Sequence, residues 1–176
     1  MIFTETSIPG AYCIDLEPLK DNRGFFARTW CTKEFREHDL NPNLVQCNLS
    51  YNAKRGTLRG MHYQRTPYEE AKLISCIIGT IYDMILDLRQ HSPAFGRWQA
   101  VELSAANHRM LYIPEGVAHG FQTLQDDSSV FYQMSDFYHP ESTCGVRWDD
   151  PSFCMEWPIT DKIMSAKDQT YGWWSD

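Results

Sequence analysis

Two histidines lie in short apolar segments and are the side chains best suited to acid–base chemistry. His62 lies in GMHYQ, and His119 lies in LYIPEGVAHGF. Histidine suits proton abstraction because its pKa lies near neutrality. A transition-metal site needs several imidazole or carboxylate ligands that converge on one point, whereas Gln64 occupies the place of a second histidine after His62. We therefore predict acid–base chemistry without a metal or another cofactor.

A carboxylate in another apolar segment is a candidate partner for the second histidine, His119. His119 either contacts the substrate directly or is a buried, hydrogen-bonded structural residue. Asp83 lies in IYDMILDL, an otherwise apolar run, where a lone buried carboxylate would be costly. We therefore expect Asp83 to pair with His119. Asp87 is expected to form a salt bridge with Arg89 or with another surface cation.

Short apolar runs rich in Val, Ile, Tyr and Phe recur between Gly and Pro turn signals along the chain. These runs are LVQCNLSY, TLRGMHYQ, KLISCII, TIYDMILDL, RWQAVELS, RMLYIP, HGFQTL and SVFYQMSDFY. Many short strands at this spacing predict an all-β sandwich or barrel. A doubly wound α/β fold is not expected, because no long amphipathic helices alternate with the strands. TKEFREHDL predicts a short helix with Thr32 as its N-cap, and the tail after Pro158 could hold another.

Length and composition limit the possible functions. The 176 residues, of ordinary globular composition, predict one domain over 1–176. The net charge of −7 argues against a nucleic-acid partner. Apolar stretches are too short for a membrane span, and the N-terminus does not resemble a secretory signal. Six cysteines without a CxxC pair could form three disulfides, but reduced thiols in a cytoplasmic protein are the preferred interpretation.

Several segments together resemble one family. Pro114-x-Gly116-x-x-His119 resembles the second motif of the cupin jelly rolls. DNRGFF, VQCNLS, TLRGMHYQ, EAKL, LDLRQHSPAFGRW, LYIPEGVAHGF, SDFYHPE, GVRWDDP and SAKD resemble, in this order, the dTDP-4-dehydrorhamnose 3,5-epimerases. The resemblance implies a cupin jelly roll (a double-stranded β-helix) with short flanking helices, a homodimer without a metal, and a nucleotide-linked 4-keto-6-deoxy sugar as substrate.

The resemblance also implies the catalytic set. His62 matches the base that removes a proton next to the ketone, and Asp168 matches the carboxylate that supports this imidazole. Tyr132 matches the proton donor on the far face of the sugar, and Lys72 matches the lysine near the 4-keto oxygen. The alternatives are a helix-capping Asp168, a Tyr132 that only packs, and a Lys72 exposed at a strand edge.

Further residues match positions that bind the substrate. Arg59 matches a diphosphate-binding arginine, Tyr138 an aromatic that stacks on the base, and Arg23 a residue from the dimer partner. The predicted binding set is Arg23, Arg28, Gln46, Asn48, Arg59, His119, Tyr138, Thr143 and Lys167. A strict strand period places Arg59 and His62 on opposite faces. Either Gly60 marks a bulge, or the long arginine reaches round an edge.

Three positions depart from the family pattern. Arg28 and Thr143 stand where the family usually has Glu, and Gln133 stands where it usually has Lys, although Gln133 should face away from the pocket. Loss of two carboxylates at the nucleotide end suggests another nucleotide, such as CDP, or inversion of only C3 or C5. Relatives in antibiotic-sugar and O-antigen pathways differ in this respect. A non-catalytic sugar-binding cupin is the alternative from another class.

Overall fold

A computed structural model describes residues 1–175, which form thirteen strands and two short helices. The strands are β1 (Ile2–Glu5), β2 (Tyr12–Asp15), β3 (Leu19–Asp21), β4 (Gly24–Phe26), β5 (Gln46–Asn52), β6 (Leu58–Gln64), β7 (Lys72–Ile78), β8 (Thr80–Asp87), β9 (Trp98–Ser104), β10 (Met110–Ile113), β11 (Val117–Thr123), β12 (Ser128–Met134) and β13 (Thr143–Gly145). The helices are α1 (Thr32–Glu37) and α2 (Ala166–Gln169). The predicted all-β fold with short flanking helices is confirmed.

Two antiparallel sheets form the body of the jelly roll. One has the order β1-β2-β10-β7-β12-β5, and the other has the order β13-β6-β11-β8-β9. Non-consecutive neighbours such as β7 and β12 show that the chain crosses repeatedly between sheets, so residues distant in sequence meet at one site. β3 and β4 form a separate two-stranded hairpin.

The inner faces of the two sheets enclose an apolar core that ends in a polar mouth. Because side chains alternate along a strand, Lys72, Ile74 and Cys76 lie on the same inner face of β7. Ile74 and Cys76 are core residues, whereas Lys72 lines a cavity. β12 shows the same change, from Val130 in the core to Tyr132 at the cavity. The core therefore supports the cavity floor directly.

Helix α1 packs on the outer face of the six-stranded sheet, and the C-terminal segment packs against the other sheet. Phe35 of α1 packs on Ile14, Leu73 and Tyr112 of the six-stranded sheet. The N-cap of α1 is Cys31, which makes no side-chain capping bond, so the prediction of Thr32 as N-cap is wrong by one position. The expected second helix after Pro158 is α2, at 166–169.

Three surface features complete the fold. The β3–β4 hairpin exposes Leu19 and Phe26, at 73% and 75% of their surface. Phe25 of β4 is exposed as well, so RGFF does not lead into a buried strand. All six cysteines are unpaired, which excludes the three-disulfide alternative for this structure. Among residues 1–175, no helix has the length and apolarity that a membrane crossing requires.

Candidate functional site

The polar mouth of the jelly roll is a cavity of about 410 Å³. Eleven of the thirteen predicted site residues line it. They are Gln46, Asn48, Arg59, His62, Lys72, His119, Tyr132, Tyr138, Thr143, Lys167 and Asp168. Gln133 is not among the lining residues, as the alternation along β12 predicts. The cavity is therefore built from five inner strands, the short strand β13 and the turn that begins α2.

A bulge in β6 places Arg59 and His62 on the same side of the sheet. His62 pairs with His119 on β11, while Arg59 pairs with Phe121, so three steps on β6 match two on β11. Gly60 occupies the extra position with φ +126°, and a Cβ there would lie 2.5 Å from the Cα of Gly120. Only glycine fits this backbone and this contact. The bulge explanation is thus correct, and Arg59 does not reach round an edge.

His62 forms a close pair with Asp168. Its Nε2 lies 2.6 Å from Asp168 Oδ1, and its side chain is 38% exposed while that of Asp168 is 5% exposed. Burial would raise the pKa of Asp168, but hydrogen bonds from His62, Ser165 and the Gly60 backbone lower it below its usual value. An ionised Asp168 only accepts, so Nε2 of His62 carries the proton and Nδ1 has the free lone pair.

Asp168 contacts His62, whereas another residue caps helix α2. Ser165 is the N-cap of α2, and its Oγ accepts a hydrogen bond from the Asp168 backbone N–H at 3.1 Å. The Asp168 carboxylate faces His62 instead. The capping alternative for the Asp168 side chain is therefore wrong, and the short helix serves to hold the carboxylate behind His62.

A second histidine–aspartate pair lies deeper in the sandwich. His119 Nε2 lies 2.7 Å from Asp83 Oδ1, and the two side chains are 4% and 0% exposed. Burial raises the pKa of Asp83, although His119 opposes this effect. The expected pairing is present, and so is the salt bridge between Asp87 and Arg89 at 2.7 Å.

Tyr132 adjoins this second pair. Its ring centroid lies 5.8 Å from that of His119 in an edge-to-face contact. Burial, with a smaller effect of the Asp83 charge, raises the pKa of Tyr132 far above its usual value, although Arg59 lowers it somewhat. The phenol is therefore neutral at physiological pH and holds a proton that it can donate.

Lys72 is buried in the cavity wall. It is only 6% exposed, so the alternative of an exposed strand-edge lysine is wrong. Its Nζ lies 2.8 Å from Glu70 Oε1 and donates to the His62 carbonyl oxygen at 3.3 Å. The cation therefore lies beside the backbone of His62 in the cavity wall, where it can stabilise negative charge on a bound ligand.

Gln64 makes a structural contribution where a metal-binding cupin would have a ligand. Its amide nitrogen donates to the carbonyl oxygens of Tyr68 and Phe137, and its amide oxygen accepts from the backbone N–H of His139. Within residues 1–175, no three His, Cys, Asp or Glu side chains form a group that could hold a metal ion.

The remaining cavity residues suit a nucleotide handle. Arg59 donates from Nε to Asn52 at 2.7 Å, which leaves the outer guanidinium nitrogens for a ligand. Gln46 accepts from the Tyr138 backbone N–H at 3.2 Å and donates to Asn48 at 3.4 Å. Thr143 bonds to the His139 carbonyl oxygen at 3.1 Å. This end of the cavity thus offers a cation, amides and an aromatic ring, as phosphate and a base require.

Two predicted binding residues lie away from the cavity. Arg23 is at the tip of the β3–β4 hairpin, 85% exposed, and pairs with Asp21. Arg28 pairs with Glu34 and lines a different surface cavity. Within one chain neither residue contacts the site, so the prediction that Arg28 binds the nucleotide is not met by its own chain.

Two residues that contact predicted catalytic side chains, Glu70 and Tyr171, were not themselves predicted. Glu70 lines the cavity and binds Lys72, and its spacing from Lys72 on the same face was an available signal. Tyr171 packs edge-on against His62, with ring centroids 6.0 Å apart, in the space left by the missing side chain of Gly145. No pattern in the tail of the sequence indicates this second contact.

The cavity combines a histidine base, a neutral phenol and a buried cation, which together can move protons on carbon next to a carbonyl group. The fold and this cavity define an isomerase of the cupin jelly-roll type. The sequence model of the dTDP-4-dehydrorhamnose 3,5-epimerases matches residues 5–176. The chain belongs to the dTDP-4-dehydrorhamnose 3,5-epimerase family.

Individual relatives agree with this membership. A dTDP-4-dehydrorhamnose 3,5-epimerase of Methanothermobacter thermautotrophicus is 42% identical over 96% of this chain and 92% of its own. The crystal structure of the Elizabethkingia anophelis epimerase has a TM-score of 0.96 at 36% identity, covering 98% of this chain and 96% of that one. The Legionella pneumophila enzyme, solved with dTDP-4-keto-L-rhamnose, has a TM-score of 0.88 at 36% identity, covering 95% and 89%.

One structural relative has a narrower activity. A 3'-monoepimerase from Streptomyces bikiniensis, solved with dTDP-quinovose, has a TM-score of 0.88 at 30% identity, covering 96% of this chain and 85% of that one. The same jelly roll therefore occurs with inversion of one carbon as well as two.

Proposed function

We propose that this chain inverts C3 and C5 of a nucleotide-linked 4-keto-6-deoxyhexose, with His62 as the base. The observation that carries this proposal is the 2.6 Å contact between His62 and Asp168 at a cavity that Tyr132 and Lys72 also line. Family membership supports the reaction type, and the substrate-bound relative from Legionella pneumophila supports the substrate class.

The first step removes a proton from the carbon next to the ketone. Nδ1 of His62 takes this proton, and the electron pair of the C–H bond moves into the bond between that carbon and C4. The imidazolium that forms is stabilised by the ionised carboxylate of Asp168, which keeps its own low pKa. A positioned general base of this kind contributes roughly 10²–10⁴-fold to the rate.

The enolate that results places negative charge on the C4 oxygen. Lys72 is a buried cation on the same wall, next to the His62 backbone. A positioned donor at a developing oxyanion supplies about 3–4 kcal/mol in a site that excludes water. Lys72 thus lowers the barrier for either carbon next to C4, since both proton removals give an enolate on the same oxygen.

Inversion requires that the new proton arrive from the opposite face. Tyr132 is neutral because burial raises its pKa, so its hydroxyl can protonate the enolate carbon. The C4 carbonyl re-forms. Before the next cycle the phenolate regains a proton from solvent, and the His62 imidazolium releases to solvent the proton that it took from the sugar. Tyr132 lies on β12 of the six-stranded sheet, whereas His62 lies on β6 of the other sheet, which supports proton transfer on opposite faces of the sugar.

The nucleotide provides a handle that holds the sugar in register. We assign Arg59 to the diphosphate, Tyr138 to the base, and Gln46, Asn48, Thr143 and Lys167 to polar contacts along the handle, all of which line the cavity. We further propose that residues 1–176 act as one domain in a cytoplasmic homodimer. In this dimer the exposed hairpin carries Arg23 to the partner's cavity.

A second candidate is inversion of a single carbon. The structural similarity to the Streptomyces bikiniensis 3'-monoepimerase supports this candidate. It requires the same base, cation and acid, so the two candidates differ only in which C–H bond reaches His62.

The test is incubation with dTDP-4-keto-6-deoxyglucose in D₂O, followed by NMR of C3 and C5. Deuterium with inverted configuration at both carbons is the expected result, whereas deuterium at one carbon only would support the single-carbon candidate. No deuterium at either carbon, with dTDP still bound, would show a sugar-nucleotide-binding protein without this activity. The CDP-linked sugar, run in parallel, reports the nucleotide preference.

A further inference from the structure

Glu70 lies in the cavity wall and has no part in the proton transfers described above. It precedes β7 by two residues and therefore shares a face with Lys72. Its side chain is 4% exposed, and its Oε1 lies 2.8 Å from Lys72 Nζ. Glu70 and Lys72 thus form a buried acid–base pair at the site.

This pair has unused hydrogen-bonding capacity. Glu70 Oε2 is buried and has no hydrogen-bond partner within residues 1–175. Lys72 donates to Glu70 and to the His62 carbonyl oxygen, and an ammonium group has a third N–H. A buried polar atom left unpaired is destabilising. The pair is therefore complete only when a ligand supplies both a donor and an acceptor.

We propose that Glu70 is a substrate-binding residue, and that it accepts a hydrogen bond from the C3 hydroxyl while Lys72 donates to the C4 ketone. This inference rests on the proposed function. In an α-hydroxyketone the hydroxyl and the ketone oxygens lie side by side, as the Glu70 and Lys72 groups do. The terminal torsion of a glutamate is broad and roughly two-fold, so one oxygen can hold Lys72 while the other turns to the cavity.

The two sides of the ketone differ in this respect. C5 carries a methyl group and the ring oxygen, and only C3 carries a free hydroxyl. Glu70 consequently distinguishes the C3 side of C4 from the C5 side. The hydrogen bond fixes which of C3 and C5 faces His62. Glu70 recognises the C3 hydroxyl, a group that the nucleotide-binding residues do not contact.

The test crosses one enzyme variant with one substrate change. Glu70→Gln keeps the shape of the side chain, but an amide has only one acceptor oxygen. That oxygen faces Lys72, so the NH₂ group faces the C3 hydroxyl, where the substrate needs an acceptor. We expect kcat/KM for deuterium uptake from D₂O to fall roughly 10–100-fold for dTDP-4-keto-6-deoxyglucose. For the analogue without the C3 hydroxyl, wild type and Glu70→Gln should differ by less than about threefold, because no hydroxyl remains to be bound.

The control variant is Glu69→Gln, which changes the neighbouring glutamate outside the cavity and should act as wild type on both substrates. An equal loss by Glu70→Gln on both substrates would show a structural role and overturn the proposal, as would no loss on either. If Glu70→Gln does not fold, the wild type still decides, since it must use the deoxy analogue at least about tenfold less well than the parent sugar. Wild-type exchange is measured first, and its absence would overturn the proposed function itself.

Discussion

His62 and His119 occupy directly paired positions on β6 and β11, yet each lies against the carboxylate of a different aspartate. The side chain of His62 is 38% exposed, whereas that of His119 is 4% exposed. Proton exchange with a bound sugar requires access, so the proposal assigns the base to His62. His119 instead supports Tyr132 from within the core.

Replacement of His62 by alanine tests this assignment. We expect His62→Ala to lower deuterium exchange at C3 and C5 by roughly 10²–10⁴-fold, because no other base adjoins Asp168 in the cavity. Binding of dTDP, measured by calorimetry, should change little. His91→Ala, at an exposed histidine outside the cavity, serves as the control. Exchange at the wild-type rate in His62→Ala would contradict the mechanism.

The acid on the opposite face is tested by Tyr132→Phe. This variant should impair inversion more than proton exchange, since His62 can still remove and return a proton on its own face. NMR in D₂O measures both, as deuterium content and as configuration. Tyr82→Phe, at a tyrosine that packs on Trp157 away from the cavity, is the matched control. Equal loss of both quantities in Tyr132→Phe would assign the residue a structural role.

The pKa of Asp168 makes a prediction about stability. A carboxyl group whose pKa is lowered on folding stabilises the protein above its unfolded pKa, about 3.9, and this contribution is lost as pH falls through the folded value. Asp168→Asn should therefore be less stable than wild type at neutral pH, and the difference should shrink in acid. Urea unfolding at about pH 7 and about pH 2.5 measures this, with the exposed Asp161→Asn as control. A difference that grows in acid would contradict the prediction.

The contact between Gly145 and Tyr171 predicts the effect of one added methyl group. A Cβ at Gly145 would lie 2.2 Å from the Tyr171 ring, so the ring must leave its place against His62. Gly145→Ala should cost about 1–3 kcal/mol of stability and reduce exchange. Gly172→Ala, with open space around its Cβ, should do neither. In the double variant Gly145→Ala with Tyr171→Ala the clash is absent, so thermal unfolding should show partial recovery of stability.

The nucleotide preference is the remaining prediction. The loss of the family glutamates at Arg28 and Thr143 predicts a shift away from dTDP, with discrimination of about 1–3 kcal/mol per unpaired polar group. Thr143 lines the cavity, whereas Arg28 is paired with Glu34 in its own chain. Thr143→Glu should therefore change relative affinities more than Arg28→Glu does in a monomeric form. Calorimetry with dTDP, CDP, UDP and GDP measures this, and a tenfold preference of wild type for dTDP would contradict the shift.

The sequence was informative where chemistry and strand period coincide. The apolar runs predicted the inner strands because alternation marks a half-buried surface, and family motifs indicated most of the cavity. Strands β1 and β13, with four and three residues, are too short to show a period. Tyr171 meets His62 from beyond the end of α2, a contact that only the assembled chain creates. Arg28 shows another limit of the sequence. The motif match indicated its position, but it did not predict that the side chain pairs with Glu34.

The extra residue in β6 has a consequence for reading the strand itself. Side-chain direction in a strand follows the parity of position, and one inserted residue reverses that parity for everything on one side of it. TLRGMHYQ is therefore two half-strands of opposite phase, joined at Gly60. If β6 kept all its residues but lost the bulge, three steps on β6 would match three on β11, and unbroken alternation would turn Arg59 to the outer surface while His62 stayed in place. The proposed phosphate-binding cation and the proposed base would then be separated by the thickness of the sheet, without any change in the composition of the site.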